Sequence, residues 1–89
     1  MQNPYLEITF RRGKPFAAYY YLPRRAGDRS YRSEEAESGL VVDFTRGGRP
    51  IGIEITTPSK ISLAALNRVL RSLGQAPASR ADVAPLRAA

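Results

Sequence analysis

From Gly39 to Thr56 the chain spells out a β-hairpin, and that hairpin constrains everything around it. Leu40, Val42 and Phe44 alternate with Val41, Asp43 and Thr45; after Arg46-Gly47-Gly48-Arg49, Ile51, Ile53 and Ile55 alternate with Gly52, Glu54 and Thr56. A period of two marks a strand with one buried face. A Gly-Gly centre suits a two-residue turn whose central residues take positive φ. Counting outward from an Arg46–Arg49 pair puts Phe44 opposite Ile51, Val42 opposite Ile53 and Leu40 opposite Ile55. Six apolar side chains then share one face, and a one-residue slip would turn one strand's set to water. Pro50 would oppose Thr45 where no ladder bond is needed, which leaves the far side of strand 50–56 open near the turn.

A sheet with one apolar face needs neighbours and a cover. Tyr5 to Phe10 and Phe16 to Leu22, rich in aromatic and branched residues and separated by Arg11-Arg12-Gly13-Lys14-Pro15, read as a second hairpin. Leu6, Ile8 and Phe10 would form one face of it, and Phe16, Ala18, Tyr20 and Leu22 the matching one. Tyr31 to Glu37 reads as a short edge strand or as an extended connection. After Pro58 the period changes: Leu63, Leu66, Leu70 and Leu73, with Val69 beside them, recur at helical spacing, while Asn67, Arg68 and Arg71 face elsewhere. Ser62 is placed as the N-cap, Ile61 and Leu66 as a hydrophobic staple, and Gly74 as the stop. In the tail 75–89, Ser79 and Asp82 give a capping signal ahead of Val83 and Leu86, and Pro85 interrupts; a short helical stretch with a frayed end is predicted.

The predicted architecture is one α+β domain over 1–89: an antiparallel four- or five-stranded β-meander, with strands at about 5–10, 16–22, 40–45 and 50–56, and one C-terminal helix, about 62–73, packed on one face.

Composition closes several functional classes. The 89 residues include no cysteine and no histidine, which removes disulfides, thiol nucleophiles, thiolate metal sites and the commonest general base. No stretch approaches the roughly 18 apolar residues that span a bilayer, and residues 1–5 lack a signal-peptide pattern, so a cytoplasmic protein without membrane partners or cofactors is predicted. The net charge of +6 is concentrated in segment 11–32, where Arg11, Arg12, Lys14, Arg24, Arg25, Arg29 and Arg32 face Asp28 alone. Basic clusters attract phosphates. Yet twelve of the fourteen cations are arginine in an alanine-rich chain, a bias that a GC-rich genome produces without selection for binding.

The hairpin motif Gly39-Leu40-Val41-Val42-Asp43-Phe44, a glycine turn, then Pro50-Ile51-Gly52-Ile53-Glu54-Ile55, preceded by Ala17-Ala18-Tyr19-Tyr20-Tyr21-Leu22, resembles the small bacterial domain of unknown function numbered 2283. The likeness covers roughly 5–58. It implies a small β-meander with a following helix and no established activity; some relatives resemble partners in toxin–antitoxin pairs, which implies protein or nucleic-acid binding. This chain departs from the pattern at Phe16 and at 46–49, where the family usually carries acids.

Three readings of the surface follow. Tyr19 and Tyr21 point to the face opposite Tyr20, beside Arg24 and Arg25. Covered by a second copy or by a partner protein, those rings would form an interface, and non-catalytic self-association or protein interaction is the leading reading. Open rings flanked by cations also hold single-stranded nucleic acid, which makes Arg11, Arg12, Lys14, Tyr19, Tyr21, Arg24 and Arg25 the antitoxin-like alternative; rings are equally the ordinary filling of strands. Third, Asp43 and Glu54 lie diagonally on one face, since Asp43 opposes Gly52. A carboxylate pair can act as acid and base or hold a hard cation, but more often it keeps a solvent-facing sheet soluble. Gly52 leaves room there for a neighbouring side chain. The acids Glu34, Glu35 and Glu37 read as a solvated run. Gly47-Gly48 has no following helix N-terminus and is not a phosphate loop, and Pro77 and Pro85 argue against a helix-turn-helix.

Overall fold

The computed structural model describes residues 4–87. Five strands, β1 (Tyr5–Arg11), β2 (Lys14–Tyr21), β3 (Arg32–Glu37), β4 (Leu40–Phe44) and β5 (Pro50–Ile55), form one antiparallel sheet, followed by helix α1 (Leu63–Ser72), a short helix α2 (Arg80–Val83) and a 3-10 turn, Ala84–Arg87. The α+β class and both hairpins match the sequence reading. The strand order does not: it is β1-β2-β5-β4-β3, so the first hairpin docks on β5 instead of continuing a meander into β3. The reason is burial. β5 carries Ile51, Ile53 and Ile55, all fully buried, and belongs at the centre, whereas the polar run Arg-Ser-Glu-Glu-Ala-Glu of β3 is exposed along most of its length and suits an edge.

The register of the central hairpin holds for Leu40↔Ile55, Val42↔Ile53 and Asp43↔Gly52, but Phe44 pairs with Pro50, not with Ile51. The turn explains the shift. Thr45 and Arg49 close a three-residue loop, with Gly48 donating to the Thr45 carbonyl, and Gly48 alone of the two glycines takes positive φ, 91°. Such a loop holds one residue more than a two-residue turn, and a bulge at Ile51 absorbs the difference. Pairing with β2 runs only from Gly52 to Ile55, so Pro50 is spared a second ladder as expected.

The core joins Leu40, Val42, Ile53 and Ile55 to Ala18, Tyr20 and Leu22 on the sheet and to Leu66, Val69 and Leu70 on α1; Phe44 packs at its margin, and Ile51 is buried at the bulge outside this cluster. Each fully buried aliphatic side chain contributes about 2 kcal/mol, so the α1 stripe alone accounts for several. Ser62 caps the helix by accepting from Ala65 N–H (3.0 Å). Its end is a Schellman motif: Gln75 N–H reaches the Leu70 carbonyl (2.9 Å), Gly74 N–H reaches Arg71, and Gly74 takes φ 71°, where a Cβ would be strained.

The tail forms the predicted short helical stretch and also enters the core: Ala78, Val83 and Leu86 are buried, Ser79 and Asp82 make a full capping box, and the Asn67 side chain both donates to and accepts from the Ala78 backbone (3.1 and 2.8 Å), while residues 88–89, at the end expected to fray, lie outside the described residues. The apolar cover is therefore two helical pieces, not one. At the other end, Phe10 stays on the face of Leu6 and Ile8 but is about half exposed, as is Phe16 at the bulge of β2. Only Ala18 to Tyr21 of β2 pairs with β5, so residues 10–16 form a two-stranded ribbon running past the rest of the sheet, in a molecule 37 Å long and 24 Å across.

Candidate functional site

On the sheet face away from the helices the chain builds an aromatic row. Tyr5 and Tyr21 are direct cross-strand partners, and their rings stack at 4.5 Å and 12°. Tyr19 meets Tyr21 edge-on at 4.6 Å. Tyr19 then leans across β5 over Gly52, where a Cβ would fall 2.2 Å from its ring and hydroxyl, and donates to Asp43 Oδ2 on β4 at 2.6 Å. The room that Gly52 leaves is thus filled from within the chain. Ser33 on β3 donates to the other Asp43 oxygen, so one carboxylate ties together three strands.

Arg24 completes the row. Its Nε donates to the Ile51 carbonyl (3.3 Å), which holds the guanidinium 4.9 Å from the Tyr21 ring centre and 6.0 Å from that of Tyr19. Together with Tyr5, Arg25 and Asp28 it borders an open cleft of about 500 Å³. Burial, the bond to Asp43 and that carboxylate's charge push the Tyr19 phenol well above its ordinary value near 10, with Arg24 opposing. The Tyr21 phenol is raised by burial and by Glu7, to which it donates at 3.2 Å.

The structure therefore brings Tyr19, Tyr21, Arg24 and Arg25 together, but sets Arg11, Arg12 and Lys14 apart from them. Arg11 and Lys14 pair at the tip of the first hairpin, six residue steps from the Tyr5–Tyr21 rung, roughly 20 Å along the strand. Arg12 and Gly13 at the tip have φ of 53° and 78°, a primed type I turn. Arg11 lies 4.5 Å over the Phe16 ring. Asp43 and Glu54 stand diagonally as predicted, opposite Gly52 and Val41, but Asp43 already accepts two bonds while Glu54 is exposed beside Tyr19. Among the described residues no group of three potential metal-binding side chains converges.

Sequence reasoning missed Tyr5, whose partnership with Tyr21 follows from hairpin register, and Asp28, which takes both Arg49 nitrogens (2.7 and 2.6 Å) and the Arg25 N–H (2.8 Å). That clamp fixes the loop carrying Arg24 and Arg25 to the central hairpin. Also unforeseen is the contrast between the sheet's two edges. β3 carries Arg32, Glu34, Glu35 and Glu37 and a bulge at Ala36, the devices that discourage strand addition, and its Glu37 is clamped by Arg68 at 3.0 Å. β1 has no bulge of its own and no proline, and of its two charges Glu7 is engaged by Tyr21 and Arg11 lies at the tip.

The bonding capacity of that edge can be read off. Leu22 N–H donates to Ile51 O (3.2 Å), so along β2 the even-numbered residues bond toward β5 and Tyr19 and Tyr21 toward β1. Their partners Glu7 and Tyr5 face β2, which leaves the peptide groups of Leu6 and Ile8 aimed outward; Phe10, opposite Pro15 with its missing N–H, is outward too. No helix among the described residues is long and apolar enough to cross a membrane. No family model, curated protein or solved structure matches the chain.

Proposed function

We propose that the domain is a non-catalytic interaction module that self-associates by pairing β1 with β1 of a second copy, and that it belongs with the bacterial domain numbered 2283 that its hairpin motif resembles. The observation that carries the first part is the unguarded β1 edge, opposite an edge defended by charge and bulge. The strand is self-complementary about Ile8. In an antiparallel twofold pair Ile8 meets Ile8, and Leu6 meets the exposed Phe10 in both directions, so all outward peptide groups find partners and about six backbone hydrogen bonds form. On the outer face Tyr5 meets Arg11 and Glu7 meets Thr9, with no like charges opposed. An interface of one short strand pair plus two half-covered phenylalanines is small, so dissociation constants on the order of 1–100 µM are expected.

Sedimentation equilibrium over that concentration range tests the reading. A mass rising from one chain to two is expected, and Phe10→Lys, which sets an ammonium against the partner's Leu6 at an already exposed position, should hold the protein monomeric without unfolding it. A wild type that stays monomeric at about 300 µM would overturn the proposal.

A further inference from the structure

We infer, on the premise of that β1-to-β1 dimer, that its two ends are composite binding sites for single-stranded nucleic acid, each assembled from the basic ribbon tip of one copy and the Tyr5–Tyr21–Arg24 cleft of the other. Within one chain the two halves are badly placed to cooperate. The tip, with Arg11, Arg12 and Lys14 exposed, is roughly 20 Å from the cleft along the same strand. Antiparallel pairing about Ile8 removes that separation. It sets Arg11 directly opposite the partner's Tyr5, about 5 Å away between Cα atoms, and carries Arg12 past the strand end toward the partner's cleft. Alternation along β1 places Tyr5 and Arg11 on the same outer face, so the tip cations join the face on which the tyrosines lie.

The chemistry of the joined surface selects the ligand. Tyr5 is 47% exposed and stacked on Tyr21, an open aromatic step of the kind on which a base lies flat. Five cations, Arg11, Arg12 and Lys14 from one copy and Arg24 and Arg25 from the other, then flank it, and none of the five forms an ion pair among the described residues. Phosphates spaced along a strand suit that arrangement. A duplex keeps its base faces occupied and would gain only the charge contacts.

The test is fluorescence anisotropy with a labelled 20-nucleotide oligo-dT, at protein concentrations where sedimentation shows the dimer. Five neutralised phosphates give a log–log salt slope of roughly −3.5, so affinity should fall about a hundredfold between 50 and 200 mM salt. Two variants separate the halves: tip-neutral Arg11→Gln/Arg12→Gln/Lys14→Gln, and cleft-neutral Arg24→Gln/Arg25→Gln, with Arg25→Gln alone as the substitute should loss of the Ile51 bond disturb folding. Each should bind at least about tenfold more weakly. Mixed in equal amounts, they should recover tight binding at a reduced number of sites, because a mixed dimer contains one site with an intact tip and an intact cleft. Phe10→Lys, monomeric but with every cation retained, should lose binding as the two single-half variants do. A dimer that ignores oligo-dT, binds a 20-base-pair duplex as well as the single strand, or fails to recover on mixing would overturn this inference and leave self-association standing. A monomeric wild type would remove the premise itself.

Discussion

Replacing Gly52 by alanine isolates the contact on which the outer face is built. The backbone there is ordinary extended strand, so alanine by itself should help: relative to glycine it stabilises a strand by about 0.5–1 kcal/mol through the entropy of the unfolded chain. The added Cβ would, however, fall 2.2 Å from Cε2 and the hydroxyl of Tyr19 and 2.3 Å from Cζ. The far end of the ring has to swing off β5, and in doing so it gives up the 2.6 Å bond to Asp43 and its edge contact with Tyr21. A hydrogen bond to a charged acceptor is worth about 1.5–3 kcal/mol, discounted here because the site is only partly buried. The net expectation is a loss of about 1–2 kcal/mol, or roughly 5–15 °C in Tm for a domain of this size. In a Tyr19→Ala background the obstruction is gone, and the same Gly52→Ala change should be neutral or stabilising. Urea unfolding of the four proteins gives the cycle, with an expected coupling of about 2 kcal/mol. Ultraviolet titration supplies an independent reading, because in Gly52→Ala the Tyr19 phenol should titrate closer to its ordinary value near 10, freed from burial and from Asp43. Equal destabilisation by Gly52→Ala in both backgrounds would refute the reasoning.

Other perturbations address the supports of this surface. Arg12→Asn should raise stability by about 0.5–1 kcal/mol, seen as a thermal shift of a few degrees, because asparagine tolerates the φ of 53° that arginine resists. The Asp28 carboxyl is held down to about 2, from an ordinary value near 3.8, chiefly by the hydrogen bonds from Arg49 and then by that of the Arg25 N–H. A depressed acid stabilises the fold above its unfolded value and ceases to do so as pH falls through the folded one, so the gap in unfolding midpoint between wild type and Asp28→Asn should be full at pH 5 and close as pH drops from about 4 toward 2. Asn67→Ala removes both bonds to Ala78 and should cost about 1–3 kcal/mol, with faster tryptic cleavage after Arg80 as the tail detaches.

Much of this molecule is legible in local pattern. Alternation places β4 and β5, the change of period at Pro58 announces α1, and Ser62 and Gly74 mark its ends because each cap satisfies backbone groups within a few residues. Strand order is not local. Alternation says that β5 has a free side but not whether β2 or β3 takes it, and β3, exposed as an edge, has no apolar period to announce it as a strand at all. The half exposure of Phe10 and Phe16 is illegible for a related reason: a strand pattern carries no information on how far the helical cover reaches. The Gly47-Gly48 turn misleads by one residue because two glycines permit positive φ twice while the loop uses it once, at Gly48.

The same distinction bears on the candidate site. The basic and aromatic residues of segment 11–32 look like one patch in the sequence because a hairpin brings its strands side by side, yet a hairpin also sends its tip and its base to opposite ends. A single chain of this fold cannot unite Arg11, Arg12 and Lys14 with Tyr21 and Arg24 without bending β1. An antiparallel copy of β1 unites them with no deformation, since it lays each tip against the other chain's base. The residues that would enforce such pairing, Leu6, Ile8 and Phe10, are apolar, face the helix side and carry the outward peptide groups, while the cations and tyrosines lie on the other face. In the proposed dimer, assembly and ligand contact would thus occupy opposite sides of one strand, so the coupling should run one way: Arg25→Gln should weaken binding with mass unchanged, whereas Phe10→Lys should change mass and, only through it, binding, with every binding cation retained.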